Sequence, residues 1–202
     1  MIEFVVGSSL AAAAGLNAWM PLFLLGLADR LLPAVELPGG WAWLSSDITL
    51  WIIGALLLLE IVADKVPALD SVNDIAQSVI RPAAGGIAFG AGAGAQTVAD
   101  PGSFFTDGSW VPVVSGILIA LAVHVVKATA RVAANATTGG LAAPVLSTAE
   151  DGASFLLAAA AIIVPVVAGI LLIGLVVVAV VLLRRRAHRR RAKAQSAGGT
   201  QT

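Results

Sequence analysis

The stretch from Glu60 to Pro82, EIVADKVPALDSVNDIAQSVIRP, places Glu60, Asp64, Lys65, Asp70, Asp74 and Arg81 between two apolar segments that are otherwise almost free of charge. A weaker version follows 62 positions later, where Gly54, Lys65, Asn73 and Pro82 are matched by Gly116, Lys127, Asn135 and Pro144. Each time an apolar helix runs into a polar shoulder and then into another apolar helix. With 58% hydrophobic and 12% charged residues in 202 and a mean hydropathy of +0.94, the chain has about half the charge of a soluble domain. It reads as an integral membrane protein, all-α, a polytopic helix bundle of about five spans containing two parallel helix-hairpin repeats and amphipathic connecting helices.

Charge is unevenly spread. Arg184, Arg185, Arg186, Arg189, Arg190, Arg191 and Lys193 hold seven of the twelve cations, so the body before them keeps five cations against twelve acids. With no cysteine, disulfides, thiolate nucleophiles and cysteine metal sites are excluded. The start, Met1-Ile2-Glu3, lacks the basic region of a signal peptide and reads as a retained helix.

The expected spans are about 4–32, 48–66, 82–98, 110–132 and 153–183, within one transmembrane domain over residues 1–183. A basic, disordered cytoplasmic tail is expected over 184–202. In the first span Gly7, Ala11 and Gly15 form a small-residue stripe suited to close helix approach, and Pro21 is expected to kink the helix and free the carbonyl of Asn17. Trp41, Trp43 and Trp51 surround the second helix start, as at a membrane interface. Glu60 lies roughly 18 Å along that helix, with Asp64 one turn on. Asp70 to Arg81 reads as a short amphipathic interfacial helix carrying Asp70, Asn73, Asp74, Gln77 and Arg81 on one stripe. Gly86, Gly90 and Gly94 form a packing seam. His124, Lys127, Arg131 and Asn135 share one face of the fourth helix. Thr137-Thr138-Gly139-Gly140 stops that helix, and Ser147 with Glu150 reads as a capping box opening the fifth.

The basic tail is expected to hold the C-terminus in the cytoplasm. Five spans then place the N-terminus outside, the 33–47 and 99–109 loops in the cytoplasm and both shoulders outside. This sets Lys65, Arg81, Lys127 and Arg131 against the positive-inside rule.

Charged side chains inside a bilayer are costly and mark function by default, or pin helices as ion pairs. The candidate ion- or substrate-binding residues are therefore Glu60, Asp64, Lys65, Asp70, Asn73, Asp74, Arg81, His124, Lys127, Arg131 and Asn135, with Asn17, Glu150 and Asp151 secondary. No catalytic residue, metal site or cofactor is expected. His124 and His188 are the only histidines, too few for a zinc site with no cysteine, and no serine elbow motif is present. Membrane lipids, an ion or small solute and copies of the chain itself are the partners expected; nucleic acid is not. The leading reading is a small transporter or channel with its polar site between the repeats. The alternatives are a non-catalytic scaffold or lipid-binding module and, behind it, a membrane enzyme acting on a lipid phosphate.

The blocks GLNAWMPLFLLGLADR from Gly15 and EIVADKVPALDSVNDIAQSVIRPAAG from Glu60, with His124, Lys127, Arg131 and the SxxED of Ser147 to Asp151, resemble an uncharacterised bacterial family of small multi-pass membrane proteins, domain of unknown function 4126. The likeness covers most of residues 7–180. It implies a multi-pass inner-membrane protein and carries over no activity or catalytic residue.

Overall fold

The computed structural model describes residues 1–65, 67–94, 108 and 110–198, with the backbone alone at 67–74, 182 and 185–198. Seven α-helices are described: α1 (Ile2–Leu16), α2 (Trp19–Leu31), α3 (Asp47–Ala63), α4 (Pro67–Gly92), α5 (Trp110–Thr138), α6 (Ala143–Ile163) and α7 (Pro165–Gly198). A 3-10 helix at Gly39–Ser45 precedes α3 and meets it at 62°. No strand occurs among the described residues. α5 and α6 are each long and apolar enough to cross a membrane, and the bent pair of the 3-10 helix and α3 is a third candidate.

α1 is the central rod. Every residue from Gly7 to Leu16 is buried, as suits a helix that is apolar or small all round. Its small side chains let α4, α5, α6 and α7 approach at once. A Cβ at Gly7 would meet the ring of Phe89, and one at Gly15 would meet Val123 and the carbonyl of Ala120. The outer faces of the other helices carry exposed apolar side chains such as Trp51, Leu58, Val79, Val132 and Ile173. Exposed apolar side chains in this number fit a lipid surround.

The first predicted span is two helices. Asn17 is extended (φ −142°, ψ 121°), and its side-chain Oδ1 accepts from the backbone N–H groups of Trp19 and Met20 (3.2 and 3.1 Å). It thereby supplies the acceptor that a helix start lacks. Pro21 falls in the first turn of α2, where its missing N–H removes nothing from the ladder, so the break comes from Asn17 and not from a proline kink.

The two legs return to one level. Gly7 faces Phe89, Leu10 would meet a Cβ at Gly92, and Trp41, in the 3-10 helix that follows α2, faces Gly90. At the other extreme the Ala18 N–H donates to Glu60, which is paired with Arg81. α6 confirms the path: Asp151 and Ser154 bond Asn17 and Ala13 at the tip, while Leu24, Ala28 and Leu31 of α2 lie along Phe155, Ala159 and Ile163. α1 and α2 therefore form a helical hairpin. Legs of 15 and 13 residues reach roughly 20 Å at 1.5 Å per residue.

Other expectations shift. Pro82 lies inside α4, which is continuous from Pro67 to Gly92 where the sequence predicts an interfacial helix and a new start. The backbones of Asp70, Asn73 and Asp74 lie in its first half; the placement of their side chains falls outside the described residues. So does the end of the expected third span, 95–98. Gly86 and Gly90 do pack closely, against Val113 and Trp41, whereas Gly94 is a positive-φ turn (+70°) with open space around it. The closest crossing is one the seam misses: Gly85 lies on Gly116 and Ala120. Gly139 and Gly140, both at positive φ, turn the chain after α5. α6 starts at Ala143, so Ser147 is mid-helix and the expected capping box does not form. The last span is broken at Val164, with Pro165 starting α7. α7 runs on as helix through the basic segment expected to be disordered. The 62-residue correspondence does not mark equivalent places: Lys65 follows the end of α3, whereas Lys127 is deep in α5, and Pro82 is inside α4, whereas Pro144 opens α6.

Candidate functional site

Three cations and three carboxylates meet beside the hairpin tip. Arg81 of α4 donates from Nη2 to Glu60 Oε1 (2.9 Å) and lies 3.6 Å from Asp64 Oδ2. Lys127 Nζ is 3.3 Å from Asp64 Oδ2 and 3.0 Å from Glu150 Oε2. Arg131 Nη2 is 3.3 Å from Asp64 and 2.5 Å from Glu150. Helical spacing explains the convergence. Glu60 and Asp64 are one turn apart on α3, and Lys127 and Arg131 one turn apart on α5. The α4–α5 crossing at Gly85 and Gly116 sets Arg81 opposite His124, whose Nδ1 accepts from Arg81 Nη1 (3.2 Å), since a guanidinium only donates.

The broken helix adds backbone groups of both signs. At the end of α1 the carbonyl of Leu16 accepts from Lys127 Nζ (2.7 Å). At the start of α2 the Ala18 N–H donates to the Glu60 carboxylate (3.2 and 3.4 Å to its two oxygens). Helix C-termini carry partial negative and N-termini partial positive charge, so each end of the break meets a side chain of opposite sign. Asn17, fully buried, donates from Nδ2 to Asp151 Oδ1 (3.0 Å). Asp151 Oδ2 is also 3.3 Å from Lys65 Nζ. Among the described side chains, that outer pair brings the assembly to four carboxylates and four cations. Neutrality is what a low-dielectric setting requires, since an unmatched buried charge costs several kcal/mol.

Of the candidates named from sequence, Glu60, Asp64, Arg81, His124, Lys127 and Arg131 come together and are buried. Lys65 joins through Asp151 at the edge. Asn135, one turn past Arg131, is half-buried with its Oδ1 lacking a hydrogen-bond partner. Asp70, Asn73 and Asp74 fall outside the described side chains. Asn17, Glu150 and Asp151, ranked secondary, are integral. Glu150 and Asp151 serve ion pairs and not a helix cap. The sequence reading missed Ser154, which donates to the Ala13 carbonyl (2.9 Å), and the backbone groups of Leu16 and Ala18. The spacing of three residues from Asp151 to Ser154 on α6 is the signal that would have found this serine.

Two apolar grooves lie elsewhere, one of about 240 Å³ between α2 and α6 and one of about 560 Å³ between α2 and α3. Neither is lined by a member of the charged cluster. Among the described residues no group of three or more histidine or acidic side chains is disposed to hold a metal ion.

A family model described as Domain of unknown function (DUF4126) matches residues 4–185, nearly the whole chain, and the chain belongs to that family. No curated protein and no solved structure matches it.

Proposed function

We propose that this member of the DUF4126 family is a small membrane transporter or channel, whose polar site is the charged cluster at the tip of the α1–α2 hairpin. The observation that carries the reading is the broken helix with both of its ends aimed at buried ions. Half-helices ending near the bilayer midplane are tolerated only inside protein or along a cavity, and transporters use their ends to hold substrate and coupling ions. The ion pairs are closed on one another, so the described conformation corresponds to an occluded site.

The chain crosses the membrane five times, with α3, α4, α5, α6 and the apolar part of α7 as spans and α1–α2 re-entrant. The N-terminus and the loops before α3 and α5 then share one side. The turn after Lys65, the turn at Gly139–Gly140 and the arginine-rich tail share the other, which is the cytoplasm. Lys65 and the tail now agree with the positive-inside rule, removing the conflict that five plain spans create.

Proteoliposomes test the reading. Ion or solute flux is expected with the unaltered protein and is expected to fall in Glu60→Gln and Lys127→Met; flux indifferent to both changes refutes it. The second reading, a scaffold in which the ions pin the hairpin, is favoured by the pairing of each carboxylate of the cluster with at least one cation. It is the conclusion if Glu60→Gln lowers thermal stability and no flux is found under any gradient.

A further inference from the structure

The larger of the two grooves, about 560 Å³ between α2 and α3, has a charged end and an apolar length. At the charged end Arg30, in the last turn of α2, donates from Nη1 to Asp47 Oδ1 in the first turn of α3. Away from that pair the walls are apolar, with Phe23 and Leu27 on α2 and Leu57 and Leu58 on α3. Gly54 and Ala55, the smallest residues of the lining, keep the groove open.

Along α3 the lining runs from Asp47 to Leu58, about 16 Å at 1.5 Å per residue. One leaflet of hydrocarbon is about 15 Å deep, half of the bilayer core. Trp51, one turn from Asp47, is highly exposed and stands on the rim near the charged end, as indoles do at headgroup level. The groove therefore has the depth of a single leaflet and a pair of opposite charges where headgroups lie.

That pair is open to a ligand. The side chains of Arg30 and Asp47 keep 47% and 72% of their surface, and an ion pair so exposed contributes little to stability. A ligand that offers each ion a partner can part it without leaving a charge unmatched. The guanidinium fork suits a phosphate, and the carboxylate suits an ammonium that still has N–H groups to donate. The neighbouring Asp29 is engaged with the loop, where its Oδ1 accepts from the Leu37 N–H (2.6 Å).

We propose that the α2–α3 groove is a binding site for phosphatidylethanolamine, with the phosphate on Arg30, the primary ammonium on Asp47 and one acyl chain along Phe23, Gly54 and Leu58. Phosphatidylcholine carries a trimethylated ammonium with no N–H for Asp47, and phosphatidylglycerol carries no cation at all. The site lies apart from the ion cluster at the hairpin tip, and the proposal is independent of the transport reading.

Native mass spectrometry of the full-length protein in detergent, titrated in turn with the three lipids carrying identical acyl chains, tests it. Phosphatidylethanolamine is expected to bind about tenfold more tightly than either of the others, the worth of one charge-assisted hydrogen bond. Asp47→Asn is expected to remove that preference, and Arg30→Met to weaken all three lipids. Ala55→Trp, which fills the groove and leaves the ion pair in place, is expected to weaken all three as well. Asp47 and Ala55 are exposed, so both variants should melt as the parent does. Equal affinity for the three headgroups, or a preference that survives Asp47→Asn, overturns the proposal. So does lipid binding unchanged in Ala55→Trp. Dimers that carry no lipid and are broken by Ala55→Trp would assign the groove to a second copy of the chain and also overturn it.

Discussion

Lys127 Nζ lies 2.7 Å from the carbonyl oxygen of Leu16 and 3.3 Å from Asp64 Oδ2. One ammonium thus ties the end of α1 to the end of α3 from the middle of α5. Three elements far apart in sequence are held at one point, and the helix break at Asn17 is what exposes the carbonyl. The ion cluster and the hairpin tip are consequently one structure, and substitutions in either should be felt in both.

Asn17 links them most directly. Asn17→Ala removes the cap of α2 and the bond to Asp151, for a loss on the order of 2 kcal/mol. Asn17→Ser retains a capping oxygen and should lose about half as much. Thermal unfolding in detergent checks the order; an Ala variant as stable as the parent would show that the break is held by packing alone.

Glu60 and Arg81 are both buried and bonded to each other at 2.9 Å. Arg81→Met leaves Glu60 with the Ala18 N–H as its remaining recorded partner and is expected to cost on the order of 3–5 kcal/mol. The double variant Glu60→Gln, Arg81→Met should be less damaging than the sum of the singles, because no unmatched charge remains. A cycle of melting curves measures that coupling, and additive effects would contradict the pairing.

Close helix approach makes a third prediction. A Cβ at Gly116 would run into the Gly85 carbonyl and the Phe89 side chain, whereas at Gly152 there is open space. Gly116→Ala should destabilise by about 1–3 kcal/mol through overpacking. Gly152→Ala should be neutral or stabilising by up to about 1 kcal/mol, since alanine is the better helix former. Equal melting temperatures for the two would place the α4–α5 crossing elsewhere.

Much of this was legible in the residues. The apolar segments mark the helices, and charges that recur at spacings of three and four, Glu60 with Asp64 and Lys127 with Arg131, mark the buried faces. The complementarity of an acidic and a basic half follows from the charge that an apolar interior must balance. The hairpin was not legible, because an apolar run of 29 residues with a single asparagine looks the same whether the chain continues or doubles back. What decides it is the set of partners waiting at the break, Glu60, Asp151 and Lys127, and these come from three other helices. Pro82 and Pro165 mislead in opposite ways. The first sits inside a helix whose neighbours hold it in place, and the second starts a helix inside what the sequence reads as one span, 153–183. Ser147 and Glu150 have the spacing of a capping box, yet Pro144 lets the helix begin a turn earlier, which buries Ser147 inside it and leaves Glu150 to pair with Lys127 and Arg131.

The re-entrant hairpin is the claim from which the rest follows, and the absence of cysteine in the chain makes it directly measurable. Single cysteines placed at Glu3, Glu36 and Gly140 can be labelled in intact and permeabilised cells with a membrane-impermeant maleimide. The hairpin predicts that positions 3 and 36 react from the same side and position 140 from the opposite side; positions 3 and 36 labelled from opposite sides would contradict it.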